Sequence, residues 1–462
     1  MSKICFLIPD GIGIRNYLYS DLLHLLHQSG HEVVIWHNLP MEVIELSSKI
    51  NGFFPQQQSF KSFPEDAVVQ ILRETSTYAR LKHNADLTDN PTILHNWPEK
   101  KGAFKRKLLL WISELLGKQI KDYKGITGTE KLYFKQLRRI PAYVQYVKDL
   151  KEINPDLLFC THQRFPGAAV AMAAAEDLNV KALSAIFSWD NLPKARLVLR
   201  SNTYTVWSEY MRNELKFFYP EIKDEQIAVT GTPQFDFYRN EHLLQTREDF
   251  AIQFGLDPIK KWVCFSGSDG TTSPYDALYL RDVANALKDD NDIQLIFRQV
   301  PVEGIERYAD VLQEFPYIIH LPPLWHKGKY WNEFYPKPED IKHLVNLSFH
   351  CATVVNIGST MALDFSWFNS PGLYLNYDHS KEQKWKTRNV YNYQHFRSMQ
   401  GWDAVVFANS PDEIKRHIRQ IIDQPESVAK DRKLWLQKIV GDLDGPTAST
   451  RLHDLLVKTI SY

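Results

Sequence analysis

Short apolar runs recur along this chain, and most lead through a short loop into a stretch whose apolar residues repeat at helical spacing. A strand buried on both faces needs a nearly continuous apolar run, whereas the helix that carries the chain back to the next strand needs only an apolar stripe. The order is plain at the start: KICFLIP, the loop GIGIRN, the amphipathic YLYSDLLHLLHQSG ending on Gly30, then HEVVIWH. It resumes with PDLLFCTHQ, AAVAMAAAEDLNV, KALSAIFSW, TYTVWSE, EYMRNELKFFYP and QIAVTGTPQFD. Helical returns between successive strands leave those strands parallel, so the alternation predicts an α/β chain with a doubly wound sheet.

The pattern lapses over the charged residues 240–260 and restarts with KWVCFSGSDG, continuing to GLYLNYD. A chain of 462 residues also exceeds what one hydrophobic core holds. We therefore expect a Rossmann-like domain over 1–235, a second over 236–430, and a helical segment over 431–462. Residues 45–150 break the rhythm of the first domain. They are rich in Phe, Tyr, Gln and Lys with no clear strand, and read as a helical, aromatic and basic insertion.

Within that insertion, residues 100–124 carry eight Lys or Arg against two acids. Phe104, Leu108, Trp111, Ile112 and Leu115 share one helical face, with Lys101, Lys105 and Arg106 displaced from it. One reading packs that face on the helix's own domain. The other lays it, as a peripheral contact, on anionic lipid or a lipid-linked substrate.

Lys plus Arg and Asp plus Glu number 55 each, so no net field favours nucleic acid, and an anion has to be held locally. Cys5, Cys160, Cys264 and Cys351 lie far apart in or beside apolar runs, as small hydrophobes, which fits a reducing cytoplasm. The first apolar run is too short for a signal peptide, and no run reaches the length of a membrane span. A cytoplasmic location, with peripheral attachment to the inner membrane face as an extension, is the expectation.

In an open parallel sheet, ligands gather beyond the carboxyl ends of the strands. Five loops there hold unusual residues. PDGIGIRN offers Asp10 and Arg15, but lacks the third glycine of a dinucleotide fingerprint, which disfavours such a cofactor. CTHQRFPG offers His162 and Arg164. FSWDNLPKAR offers Trp189, Asp190, Asn191 and Lys194. A His or Asp at a strand end can serve as a general base, while Asp190-Asn191 can equally form a turn before Pro193 and His162 can be a supporting residue. FSGSDGTTSP, with Ser266, Gly267 and Ser268, can turn backbone N–H groups toward a phosphate or be a plain turn. In NIGSTMALDF, Gly358, Ser359 and Thr360 precede a helix whose N-terminus favours an anion, and either hydroxyl can cap it. Arg298 ends another strand and needs an anion: a phosphate, or an internal carboxylate such as Asp364. His343 and His350, seven apart, read as a helix surface pair, and no spacing suggests a metal.

Two α/β domains joined near VTGTPQFD, with NIGSTMALDFSWFNSPGLYLNYD in the second, resemble GT-B glycosyltransferases of surface-polysaccharide synthesis. The likeness is close in style to CDP-glycerol glycerophosphotransferases and non-hydrolysing UDP-GlcNAc 2-epimerases. It rests on Gly358, Ser359, Asp364 and Pro371, and spans about residues 155–425. The resemblance implies an acceptor domain, a nucleotide-sugar donor domain, a cleft between them and a last helix crossing back. It also implies that Ser359 and Thr360 hold donor phosphates, Asp364 lies near the sugar or ribose, and Arg298 neutralises the leaving diphosphate. Where the epimerases carry a Gly-Gly-Glu-Glu type sequence, this chain has Thr360-Met361-Ala362-Leu363-Asp364 after Ser359.

The expected activity is a metal-independent glycosyltransferase with a nucleotide sugar as co-substrate and no further cofactor. Its acceptor would be a hydroxyl of a surface glycan or lipid-linked glycan. His162 or Asp190, with Asp10 third, would be the base; Arg15, Arg164, Trp189 and Asn191 would face the acceptor; Ser266, Gly267, Ser268, Arg298, Gly358, Ser359, Thr360 and Asp364 would hold the donor. Two rivals stand beside it: a nucleotide-sugar 2-epimerase, and a non-catalytic scaffold of a glycan-assembly complex.

Overall fold

The run Lys3–Ile8 forms β1, with Ile4 to Ile8 wholly inaccessible to solvent. Around it lie β2 (Glu32–His37), β3 (Gln56–Ser59), β4 (Leu157–Cys160), β5 (Lys181–Ala185), β6 (Thr203–Val206) and β7 (Ile227–Val229). The computed structural model describes residues 2–329, 333–379 and 385–461. They divide into two compact units, Met1–Gln234 with Ile439–Tyr462, and Phe235–Lys438.

In the first unit all seven strands are parallel, in the order β3-β2-β1-β4-β5-β6-β7. The chain winds outward from β1 to β3, then returns to the other side of β1 as β4. The winding therefore reverses between β1 and β4, the position where such sheets open a crevice at their carboxyl edge. The helix expected from Tyr17 begins later: Ile14–Leu18 is a π-helical turn and the α-helix covers Leu22–Gln28.

The insertion is mostly helical, with Met41–Asn51, Ala67–Thr88, Phe104–Gln119, Tyr123–Leu137 and Pro141–Ile153. It also holds β3, which the sequence did not reveal. QQQS has no apolar alternation because β3 is an edge strand bonded only to β2. Arg80, on Ala67–Thr88, ties the helices of the insertion to one another and to the end of the helix Glu209–Phe218. It donates to both Glu130 oxygens at 2.9 and 2.8 Å, to Tyr123 Oη at 2.7 Å and to the Phe218 carbonyl at 2.9 Å. Arg200 adds a bond of 2.7 Å to Glu130. Burial works to raise the Glu221 carboxyl, but Arg80 and Arg200 overcome it and leave it below the ordinary value.

The final helix, Ala448–Ser461, buries Leu452 and Leu456 within the first unit. Lys181 Nζ donates to the Thr459 carbonyl at 2.8 Å, and Arg451 Nε to the Thr230 carbonyl at 2.9 Å.

The second unit has β8 (Lys261–Ser266), β9 (Ile293–Arg298), β10 (Ile319–Leu321), a two-stranded antiparallel ribbon of β11 (Trp325–His326) and β12 (Tyr335–Pro336), then β13 (Thr353–Asn356), β14 (Gly372–Leu375) and β15 (Val406–Ala408). Its parallel sheet runs β10-β9-β8-β13-β14-β15, so its reversal lies between β8 and β13. His343 is not on a surface: it is buried on the helix Pro338–His350, with Nε2 2.9 Å from Gln253 Nε2, while His350 Nε2 lies 3.1 Å from the Gln245 carbonyl. All four cysteines are buried and free, and burial pushes the Cys160 and Cys264 thiols up to about 12.

Candidate functional site

The winding reversal of the first unit sets two loops side by side, one after β1 and one after β4. Asp10 leaves β1 and caps the turn Gly11–Gly13, its Oδ1 accepting from the Ile12 N–H at 3.1 Å. Its Oδ2 lies 2.7 Å from His162 Nδ1, beyond the end of β4, and both side chains are only 3 % exposed. A ring nitrogen facing a carboxylate carries its proton there, so Nε2 is the basic nitrogen of this tautomer. Phe187 meets the imidazole edge-on, with ring centroids 4.9 Å apart.

Asn191 joins this cluster through Gln163, which the sequence did not single out. Gln163 Nε2 donates to Asn191 Oδ1 at 2.9 Å, and Gln163 Oε1 accepts from the Phe187 N–H at 3.3 Å. An amide directly after His162 was the available signal. Asp190 is engaged differently: it takes a bond from Lys194 Nζ and one of 2.7 Å from Asn191 Nδ2. Trp189 is buried, and burial pulls the Arg164 guanidinium below its ordinary value. Arg15 is engaged by the segment after β7, donating to Gln234 Oε1 at 2.5 Å, and also donates to Asn16 Oδ1 at 3.2 Å.

In the second unit the reversal again pairs two loops, those after β8 and β13. The first was expected to turn N–H groups toward a phosphate, and here they are used internally. Gly267 donates to the Arg298 carbonyl at 2.8 Å, Ser268 to Asp276 Oδ2 at 3.0 Å and Gly270 to Glu303 Oε1 at 2.8 Å. Thr271 and Thr272 donate to Asp269 Oδ1 at 2.9 and 3.0 Å. Three carboxylates facing the loop also oppose an anion. Ser266 Oγ contacts Met361 Sδ at 2.8 Å.

The Gly358-Ser359-Thr360 loop is built otherwise. Gly358 has φ +56°, and a Cβ there would lie 2.5 Å from Val390 Cγ1, so both backbone and packing demand glycine. The cap comes from Ser359, whose Oγ accepts from the Met361 N–H at 3.3 Å; Thr360 makes no side-chain cap. Asn356, at the end of β13, accepts from the Ser359 N–H at 3.1 Å and keeps its Nδ2 buried with no hydrogen-bond partner among the described residues.

Two expectations about charge change. Arg298 pairs with Asp340, not Asp364: Nη2 lies 2.7 and 2.8 Å from its two carboxylate oxygens, and Nη1 donates to the Pro322 carbonyl at 2.9 Å. The helix after β12 brings Asp340 to the strand end, a juxtaposition that local sequence does not display. Asp364 is buried and accepts from Tyr238 Oη at 2.8 Å, which ties Tyr238 to the helix Met361–Trp367 within the second unit. Neither geometry places these residues on an open donor surface. Among the described residues no group of three or more His, Cys, Asp or Glu could hold a metal ion.

No protein-family model and no curated protein matches this sequence. Solved structures do match its fold. The UDP-GlcNAc 2-epimerase of Methanocaldococcus jannaschii aligns with a TM-score of 0.53 at 10 % identity, over 99 % of this chain and all of its own. The S. aureus MnaA–UDP co-structure aligns at 0.52 and 11 %, over 100 % and 98 %. A glycosyltransferase from Rickettsia africae aligns at 0.52 and 9 %, also over 100 % and 98 %. Two parallel, doubly wound sheets in this order, superposing along the full length of both kinds of enzyme, establish that this chain has the GT-B fold shared by UDP-GlcNAc 2-epimerases and glycosyltransferases.

Proposed function

We propose that this chain transfers a sugar from a nucleotide-sugar donor to a hydroxyl of a surface glycan or lipid-linked glycan. The observation that carries the reading is the buried His162–Asp10 pair at the winding reversal of the first unit. In this reading His162 Nε2 takes the acceptor proton as the oxygen attacks the anomeric carbon. The bond from that carbon to the diphosphate breaks, and its electron pair leaves with the nucleotide. Asp10 holds the ring and stabilises the imidazolium that forms. The nucleotide sugar is a co-substrate and no other cofactor is invoked.

The first unit then serves the acceptor and the second the donor. Gly358, Ser359 and Thr360 remain the best donor-phosphate loop, supported by the small residues and the buried Asn356 Nδ2 beside them. Asp190 becomes a charge balanced by Lys194, with Arg15, Arg164, Trp189 and Asn191 shaping the acceptor side. Four buried thiols support a reducing, cytoplasmic setting.

A nucleotide-sugar 2-epimerase is a second reading, favoured by the epimerases among the structural neighbours. The experiment separates the two. A thermal-shift panel of UDP-, GDP-, CDP- and CMP-sugars identifies the donor. With that donor, a transferase releases nucleotide only when acceptor is added, whereas an epimerase inverts the sugar without acceptor. No shift with any donor would leave the scaffold reading standing.

A further inference from the structure

The helix Phe104–Gln119 faces opposite to the way an amphipathic helix normally packs. Its buried residues are Leu110, Ser113 and Gly117. At Gly117 an added Cβ would lie 2.9 Å from Tyr78 Cδ1 and 3.0 Å from the Thr75 carbonyl, so the helix approaches Ala67–Thr88 through its small residues. The apolar stripe is left outside: Phe104 is 78 % exposed and Trp111 51 %, with Leu108, Leu115 and Leu116 also exposed. Phe104, Leu108, Trp111 and Leu115 follow one another at helical spacings of four, three and four, on the side away from Leu110, Ser113 and Gly117.

Such a stripe in water is unfavourable for a soluble surface and calls for an occupant. The charges around it select one. Lys100 and Lys118 are bridged to Glu114 at 2.6 and 2.5 Å, and Lys101 to Glu99. Lys105 and Lys107, which flank the stripe on either side at its first turn, are exposed and have no ion-pair partner among the described residues. Unneutralised cations beside Phe, Trp and Leu match a layer with anionic headgroups above an apolar interior, whereas a second copy of this face would set like charges against each other. Trp111 in the middle of the stripe suits the headgroup boundary. No described helix is long and apolar enough to cross a membrane, so the contact is one of lying on the surface.

We propose that this helix docks the protein on an anionic membrane, with Phe104, Leu108 and Leu115 inserted among the acyl chains, Trp111 at the headgroup boundary, and Lys105 and Lys107 at the headgroups. The proposal rests on this helix alone and survives if the transferase reading fails.

Flotation of the full chain with phosphatidylcholine vesicles, with and without phosphatidylglycerol, tests it. The chain should float with the anionic vesicles, much less with neutral ones, and less as salt rises. The double variant F104S/W111S should lose about tenfold or more in vesicle affinity, and K105E/K107E on the order of a hundredfold. All four positions are exposed, so melting temperatures should not move. Three results would overturn the proposal: no flotation with anionic vesicles, equal flotation of the variants, or a wild-type dimer in sedimentation that F104S/W111S splits while neither chain floats.

Discussion

His162 Nδ1 lies 2.7 Å from Asp10 Oδ2 although 152 residues separate them in sequence. What joins them is the adjacency of β1 and β4, registered from Ile4↔Leu157 to Leu7↔Cys160. If the pair is the base of the reaction, His162→Ala should lower turnover by about 10²–10⁴-fold while leaving the nucleotide-induced thermal shift intact. Asp10→Asn keeps an acceptor for the Ile12 N–H but no longer stabilises an imidazolium, so turnover should fall with little change in donor affinity. Acceptor-dependent nucleotide release reads both. Unchanged turnover in His162→Ala would remove the base from this site.

Arg80 gives a stability prediction independent of function. Arg80→Ala strands Glu130 and Glu221 without their main cation, and should destabilise the first unit by about 3–5 kcal/mol in urea unfolding. Arg80→Lys should recover little, because an ammonium cannot reach both Glu130 oxygens and the Phe218 carbonyl together. A loss below 1 kcal/mol would show that the insertion is fastened elsewhere.

Asp276 sets a pH dependence in the second unit. Burial raises its carboxyl to about 6, against which the bonds from Tyr308 and Ser268 pull it down. An unfolded Asp titrates near 3.9, so between about pH 4 and 6 the folded state holds the proton more tightly. The stabilisation from this proton is therefore complete below about pH 4 and lost as pH rises through about 6. Asp276→Asn removes the titration. The difference in unfolding free energy between wild type and variant should shift against the wild type by about 2–3 kcal/mol across that window. A difference that stays flat with pH would contradict the raised value.

Gly358→Ala forces a side chain onto a positive φ and against Val390. It should cost about 2 kcal/mol or more and abolish the nucleotide-induced shift if this loop holds the donor phosphates. Ser359→Ala loses only a cap of about 1 kcal/mol. A full nucleotide shift in both variants would move the donor site elsewhere.

Most strands of both sheets were legible because they are apolar runs, and the loops after them could be found by the rule that ligands gather at strand ends. β3 was hidden since an edge strand with polar side chains leaves no periodic mark. Asp10 and His162 stood out singly as rival bases. Their partnership depends on strand order across a long insertion, which residue type does not encode. The N–H groups of the Ser266–Pro274 loop show the same limit: glycines and hydroxyls suit a phosphate, but Asp276 and Glu303, which accept from Ser268 and Gly270, lie outside the motif. In Phe104–Gln119 the period was legible and two directions stayed open; the stripe faces outward because small residues can pack a helix as closely as large ones.

The membership of Ile439–Tyr462 in the first unit has a consequence for how the chain is made. The second unit is covalently an insertion: its two ends both run into the first. A ribosome can therefore release the second unit complete while the first still lacks its last helix and leaves the surface around Leu452 and Leu456 uncovered. Of the two units the first is the later to have all of its segments, and a fragment cut at residue 234 would lack part of its own core.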